Sequence, residues 1–470
     1  MSTRSRSQTR GLERAPSFLS DLLNTLTERG RALLGGRLGG GGALPMSEAE
    51  LIELGEALLS RRGEATGVAL AQALLAGYAN ADAADRLAFL TALAERFGPD
   101  RQRVENAVAR LQDSGFDDAT VKSLHDAAEP RRQELFRRLN LAPGGTAALL
   151  RMREALLENS AGRPQLRPID GDFVHLFASW FNRGFLVLRR IDWTTPAHIL
   201  EKIIRYEAVH AIENWDDLRN RLAPDDRRCY GFFHPQLADE PLIFVEVAMT
   251  REIPGAIAPL LDLARTPIAA RDATTAVFYS ISNTQKGLGG ISFGNFLIKQ
   301  VVEELKRELP DLQTFVTLSP VPGFASWLAA ERQSPSSTVL TPAARETLTL
   351  LDQPGWHEEA DTAARVQTAL LPIAAHYFLQ ARDRRGRQID PVARFHLGNG
   401  ARLERLDFLG DRSAKGLQQS HGLMVNYLYA PDEIEANHEA FAETGAVAAA
   451  PAVRKLLKIA PPVTEAAPAA

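Results

Sequence analysis

The sequence predicts two folded parts of different class, an α+β multidomain chain in which an all-helical domain over residues 46–168 precedes a larger mixed α/β domain over 169–456. Three observations carry this. From Met46 to about residue 160, apolar residues recur at helical spacing between cap and stop signals. After "NSAGRPQLRP" the composition shifts toward aromatic and β-branched runs with helical patterns between them. The ends differ from both parts. Residues 1–45 read as a disordered leader running into the flexible linker "GGRLGGGG", and residues 457–470 as a disordered Ala/Pro-rich tail.

Order begins at "MSEAELIELGEALLS", where Ser47 and Glu50 form a capping-box pattern ahead of an apolar-periodic run. In "DRLAFLTALAERFG", Leu87, Leu90, Leu93, Ala94 and Phe97 fall on one helix face and Gly98 supplies the stop. "RQRVENAVARLQ", "PRRQELFRRLN" and "GTAALLRMREALLE" continue the pattern. This stretch holds no clustered His or Cys and no paired carboxylates on a shared face. Packing and self-association are its expected roles, with a homo-oligomer, dimer or tetramer, as the expected assembly.

The later part contains "FVHLFASWFNRGFLVLRRI", "CYGFF", "PLIFVEVAMT", "TTAVFYSIS" and "TFVTLS". Cys229 is the single cysteine of the 470 residues, so an intrachain disulfide is excluded, and a reducing compartment is expected. Its place at the start of a strand pattern reads as a buried structural thiol. The 54 basic and 58 acidic residues leave a net charge of −4, which argues against a nucleic-acid partner. No run approaches the ~20 apolar residues of a membrane span. The Arg/Ser-rich start, "MSTRSRSQTRGLERAPSF", reads as a basic tail, with a mitochondrial transit peptide as the alternative. The end, "TEAAPAA", is not a peroxisomal address. The expected location is cytoplasmic, with the mitochondrial matrix as the alternative.

The most informative stretch is "AVFYSIS" (276–282), then "NTQKGLGGISFG" (283–294), then "NFLIKQVVEELKREL" (295–309). They read as a buried strand, a glycine-rich turn and an amphipathic helix. The helix places Leu297, Ile298, Val301, Val302, Leu305 and Leu309 on its apolar side and ends at Pro310. "TFVTLS" (314–319) is the next strand. Strand, turn, helix and strand form a crossover, which predicts parallel pairing. Glycines allow close backbone approach, and a helix start adds partial positive charge, so the turn suits a pyrophosphate. It is neither a P-loop nor a Gly-x-Gly-x-x-Gly fingerprint. A connection without a ligand is the alternative, and the residues alone leave both open.

Ser319 ends that next strand in "TLSPVPGF", on the side where α/β sheets hold ligands. Pro320 and Pro322 stiffen the turn that follows, as a catalytic side chain requires; a simple turn cap is the other reading. His396 lies in "FHLGNG" and His421 opens "HGLMVNYLY". Histidine suits proton transfer near neutral pH, although a lone histidine is often only a packed one. The ten histidines include no HExxH and no Cys/His cluster, so no metal is expected.

"FYSISNTQKGLGGISFGNFLIKQVVEELKRELP", "TLSPVPGF", "DPVARFHLGNG" and "GLMVNYLY", four separated motifs in order, resemble the malonyl-CoA decarboxylase family. The likeness covers about 170–440, including "SWFNRGFLVLRRIDW" and "EPLIFVEVAMT"; the helical region is similar to the family's N-terminal domain through weaker motifs. The resemblance implies a GNAT-like, acetyltransferase-type catalytic domain that holds the pyrophosphate of coenzyme A at a strand-to-helix turn. It implies conversion of malonyl-CoA to acetyl-CoA and carbon dioxide, a step of fatty acid metabolism. The family's reactive serine and histidine match Ser319 and His396. Its CoA-binding segment matches Gly289, Gly290, Ile291, Ser292, Phe293, Gly294 and Asn295. His421 is not such a match and ranks below His396.

In the reaction so implied, loss of carbon dioxide leaves a thioester enolate. The thioester is the electron sink, so no cofactor is expected. His396 is expected to deliver the proton to C2, and Ser319 to bond either His396 or the departing carboxylate. Asn399, His234, Asn426 and Tyr427 are candidates for supporting donors. A CoA-dependent acyltransferase and a non-catalytic acyl-CoA sensor are the rival readings. Product analysis and calorimetry respectively separate them from a decarboxylase.

Overall fold

The computed structural model describes residues 45–60, 63–237, 239–291 and 297–459. The expected leader up to residue 44, the tail from residue 460, and Ser292, Phe293, Gly294 and Asn295 of the turn lie outside the described residues. The chain divides into two compact units: Met1–Phe181 with Gln285–Ser292, and Asn182–Thr284 with Phe293–Ala470.

Among the described residues of the first unit, eight α-helices run from Glu48–Leu59 to Arg167–Trp180. Their starts follow the local chemistry. The backbone N–H of Ser47 donates to the Glu50 carboxylate at 2.9 Å, completing the capping box. Asp82, Asp100 and Asp117 accept from the amides of Asp85, Arg103 and Thr120, each relieving an orphan donor of a first turn. Phe89, Leu93, Phe97, Leu135, Phe136, Phe173 and Phe177 form the core, with Phe136 stacked on Phe173 at 4.2 Å. The helix Arg167–Trp180 spans the composition change at residue 169. Its aromatic residues keep helical spacing: Ile169, Phe173, Leu176 and Phe177 are buried. A buried ion pair between Asp172 and Arg132 joins it to the helix Arg131–Asn140.

The described part of the turn, 285–291, packs within this unit. Arg153, itself buried, donates through Nη1 to the Gly287 carbonyl at 2.7 Å. A Cβ at Gly287 would stand 2.3 Å from the Leu150 carbonyl oxygen, a backbone atom that cannot yield. Gly287→Ala is therefore expected to destabilise the chain by about 1–3 kcal/mol, the usual cost of overpacking, read as a lower urea midpoint. An unchanged midpoint would show that the turn is not held against the helix Gly145–Asn159, which carries Leu150 and Arg153.

The second unit is built on an eight-stranded sheet: β1 Val187–Ile191, β2 Arg227–Phe233, β3 Pro241–Thr250, β4 Thr275–Asn283, β5 Thr314–Thr317, β6 Ser319–Pro320, β7 Arg402–Asp407 and β8 Met424–Leu428. The order is β1-β2-β3-β4-β5-β8-β6, with β7 also on β8. All seven residues of β2 and all of β3 but Thr250 are buried, as expected for strands covered on both faces. Cys229 lies in this layer with no exposure, and burial pushes its thiol pKa well up.

The pair β4–β5 is parallel, as the crossover pattern predicts, and its connecting helix Leu297–Glu308 buries Leu297, Ile298, Val301, Val302 and Leu305. The other strand pairs are antiparallel. The strand expected to run to Ser319 breaks after Thr317. The parallel ladder ends at Phe278 and Thr317, closed by the Leu318 amide on the Phe278 carbonyl at 3.0 Å. Pro320 has no N–H to extend it, and Ser319 and Pro320 pair with Val425 and Met424 of β8 instead. That departure places Ser319 between β8 and the end of the β4–β5 ladder. Among the described residues, no helix is long and apolar enough to cross a membrane.

Candidate active site

Ser319 and His396 are 77 residues apart in the chain, and the second unit brings Ser319 Oγ to 3.1 Å from His396 Nε2. His396 stands in the last turn of the helix Pro391–Gly398. Asp390 caps that helix by accepting from the Ala393 amide at 2.8 Å, and Pro391 preforms its first turn. After the helix, Gly400 takes φ +80°, and a Cβ there would lie 2.1 Å from the Ile434 carbonyl oxygen. Only glycine fits both the angle and the space. A short helix held at both ends aims one ring.

The ring is held on every side. Nδ1 shares a hydrogen bond with the Tyr429 hydroxyl at 2.8 Å. Tyr427 stacks on the imidazole with centroids 4.6 Å apart and planes 24° apart. Phe395 lies edge-on at 5.1 Å. Ser319 Oγ also donates to Thr317 Oγ1 at 2.9 Å, and Thr317 Oγ1 accepts the Tyr427 amide at 3.2 Å. Asn426 Nδ2 donates to the Thr317 carbonyl at 2.8 Å. Thr317, Ser319, His396, Asn426, Tyr427 and Tyr429 are all buried.

Burial lowers the His396 pKa to about 3, so the ring is neutral at physiological pH. The unfolded chain, with a histidine pKa near 6.5, binds this proton first. The stabilisation is therefore complete above about pH 6.5 and is lost as pH falls toward 3, at roughly 1 kcal/mol per pH unit. The urea midpoint is expected to fall over that window, and less steeply in His396→Asn. Equal slopes in the two proteins would mean that the ring is already charged when folded.

The other candidates divide. Asn426 and Tyr427 lie on β8 and touch the site. Asn399 caps its helix, donating to the Phe395 carbonyl at 2.6 Å. His234 lies after β2, three strands from β5 in the sheet order, and accepts the Gln236 amide at 3.2 Å. His421 ends the helix Ala414–Ser420 at φ +52°, with its pKa lowered to about 4 by burial and the nearby Arg332.

In the glycine turn, the amides of Gly289 and Ile291 donate within the turn, to the carbonyls of Lys286 and Leu288. Gly290 is exposed, with φ +77°. Two site residues were not singled out from the sequence: Thr317 and Tyr429. Each stands two positions from a residue that was, Ser319 and Tyr427, and same-face spacing along a strand could have found them. Among the described residues, no three His, Cys, Asp or Glu side chains converge as a metal-ligand set.

Residues 184–467 match the family profile "Malonyl-CoA decarboxylase C-terminal domain", and residues 97–181 match the corresponding N-terminal domain. The goose (Anser anser anser) protein "Malonyl-CoA decarboxylase, mitochondrial" is 35% identical over 392 residues, covering 76% of this chain and 77% of the goose protein. The mouse protein of the same name is 35% identical over 388 residues, covering 76% and 78%. Among solved structures, malonyl-CoA decarboxylase from Rhodopseudomonas palustris is 70% identical, with a TM-score of 0.85 over 87% of this chain and 100% of that one. The Agrobacterium vitis enzyme is 59% identical, with a TM-score of 0.84 over 87% and 99%.

Proposed function

This chain belongs to the malonyl-CoA decarboxylase family, and from that premise we propose how its residues carry the reaction. It is a carboxy-lyase that converts malonyl-CoA to acetyl-CoA and carbon dioxide. Ser319 and His396 are the catalytic pair. The observation that supports them most directly is their 3.1 Å contact inside a buried site.

The barrier to decarboxylation lies in charge that develops on the thioester oxygen as the C–C bond breaks. An imidazolium at this place would pair with the malonyl carboxylate and stabilise the ground state; a neutral ring does not. His396 supplies the proton to C2 from Nε2, since Nδ1 is engaged by Tyr429. The thioester enolate carbon is a strong enough base to take it, and the ring recovers its proton from water after product leaves. Ser319 fixes the direction of Nε2. Tyr427, by stacking, keeps the ring plane, and Asn426 holds the Thr317 strand end. Asn399 acts through the helix it caps.

The turn carrying Gly289, Gly290, Ile291, Ser292, Phe293, Gly294 and Asn295 holds the pyrophosphate of coenzyme A; the amides of Gly289 and Ile291, bonded within the turn, shape it rather than meet the anion. Gly290 offers an exposed backbone at positive φ there. The acetyltransferase-like reading of the α/β part belongs to the same proposal, supported by the glycine turn between two parallel strands.

One incubation with malonyl-CoA tests the proposal. Acetyl-CoA and carbon dioxide should form with no acceptor present. Dependence on an added amine would replace it with an acyltransferase, and binding without turnover with a sensor. The helical unit is proposed to drive self-association into a dimer or tetramer. Light scattering should return that mass at micromolar concentration, and a monomer would remove this part. The proposed location is the cytoplasm, supported by the single cysteine, with the mitochondrial matrix as the alternative. Fractionation of the source cells decides between them.

A further inference from the structure

Thr317 is the last residue of β5, has no exposure, and stands two positions before Ser319. Its Oγ1 accepts two hydrogens, from the Tyr427 amide at 3.2 Å and from the Ser319 hydroxyl at 2.9 Å. A serine hydroxyl has one hydrogen to give and two lone pairs to accept with. With that hydrogen committed to Thr317, the 3.1 Å contact between Ser319 Oγ and His396 Nε2 must take its hydrogen from the ring. A neutral imidazole carries a single N–H. Nδ1 is then bare and accepts from the Tyr429 hydroxyl 2.8 Å away. Each of these three links has one donor and one acceptor when the hydrogens run from Tyr429 through His396 and Ser319 to Thr317.

We propose that Thr317 is a positioning residue for the decarboxylation: by taking the Ser319 hydrogen, it holds His396 in the Nε2–H tautomer, the form that can release a proton on the Ser319 side. This rests on the reading of Ser319 and His396 given above. In the step itself the Nε2–H bond breaks, and nitrogen keeps its electron pair. The C2–H bond forms with the pair left behind by departing carbon dioxide, and water returns a proton to the ring. Without an acceptor at position 317, the Ser319 hydrogen turns to Nε2. The ring proton moves to Nδ1, and the Ser319 side of the ring presents only a lone pair. A fixed tautomer behind a serine is the service an orienting partner performs in hydrolytic triads. Here the partner is a threonine acting through the serine rather than on the far ring nitrogen.

The test uses the full chain and two variants. Thr317→Val keeps the shape and the β-branched fit to the strand while removing the hydroxyl; Thr317→Ser keeps the hydroxyl. The expected results are a kcat about 10²-fold lower in the valine variant, a KM for malonyl-CoA barely moved, and a serine variant close to the unchanged protein. Nitrogen-15 histidine NMR supplies the second readout, with the His396 signal identified by its loss in His396→Asn. It should report Nε2–H in the unchanged protein and Nδ1–H in Thr317→Val. An undiminished kcat in the valine variant overturns the inference, as does a serine variant equally slow, or a slow valine variant whose tautomer has not changed. The spectrum of the unchanged protein decides even if the valine variant does not fold: an Nδ1–H ring there refutes the proposal. If His396→Asn and Ser319→Ala are slow while Thr317→Val is not, this inference alone fails. If those two turn over normally, the reading of the catalytic pair fails with it.

Discussion

Replacing His396 by asparagine is expected to slow carbon dioxide release from malonyl-CoA by about 10²–10⁴-fold, the contribution of a positioned proton donor, in a protein that still folds. Asparagine suits the test because its amide can still meet the Tyr429 hydroxyl, which now bonds Nδ1, but it reaches no further toward Ser319 than Cγ and its substituents allow. The loss is therefore concentrated at Nε2, the atom 3.1 Å from Ser319 Oγ. Because the ring is neutral when folded, no buried charge is abandoned by the change, and secondary structure should persist by circular dichroism. Its effect should fall on kcat, since in the proposed mechanism the proton is delivered after the substrate is bound. A folded His396→Asn protein with undiminished turnover would remove the histidine from the chemistry.

Ser319→Ala is the second large effect, about 10²-fold in kcat. Alanine deletes one oxygen that meets both Thr317 and His396, and with it the bond that gives Nε2 its direction. The ring keeps Tyr429 and the Tyr427 stack, so some orientation survives and the loss should be smaller than for the histidine. In the proposed mechanism the two residues act as one unit. Adding Ser319→Ala to His396→Asn should therefore cost little more than His396→Asn alone. Multiplicative losses in the double variant would mean that the two side chains work independently and that the contact between them is incidental.

Much of this was legible in local sequence. Ser47 and Glu50 announce a helix start because a capping box needs only residues three apart. Leu297, Ile298, Val301, Val302 and Leu305 announce the crossover helix because burial of one face imposes a 3.6-residue period. Parallel pairing of β4 and β5 follows from the helix between them. The run after residue 169 was less transparent. Phe173 and Phe177 have strand-like composition but helical spacing, and they are buried in a helix. The break after Thr317 was also not foreseen, because it depends on a partner strand, β8, more than 100 residues downstream.

By itself the sequence determined the helical and α/β parts, the glycine turn, and, through its likeness to a family, the expectation placed on Ser319 and His396. Tertiary structure alone decided that these two side chains meet, that Thr317 and Tyr429 complete their hydrogen bonds, and that the ring is neutral. The division has a physical cause. Periodicity and capping are set by neighbours along the chain, whereas desolvation of a ring and the direction of its hydrogens are set by atoms that only folding brings within 3 Å or so.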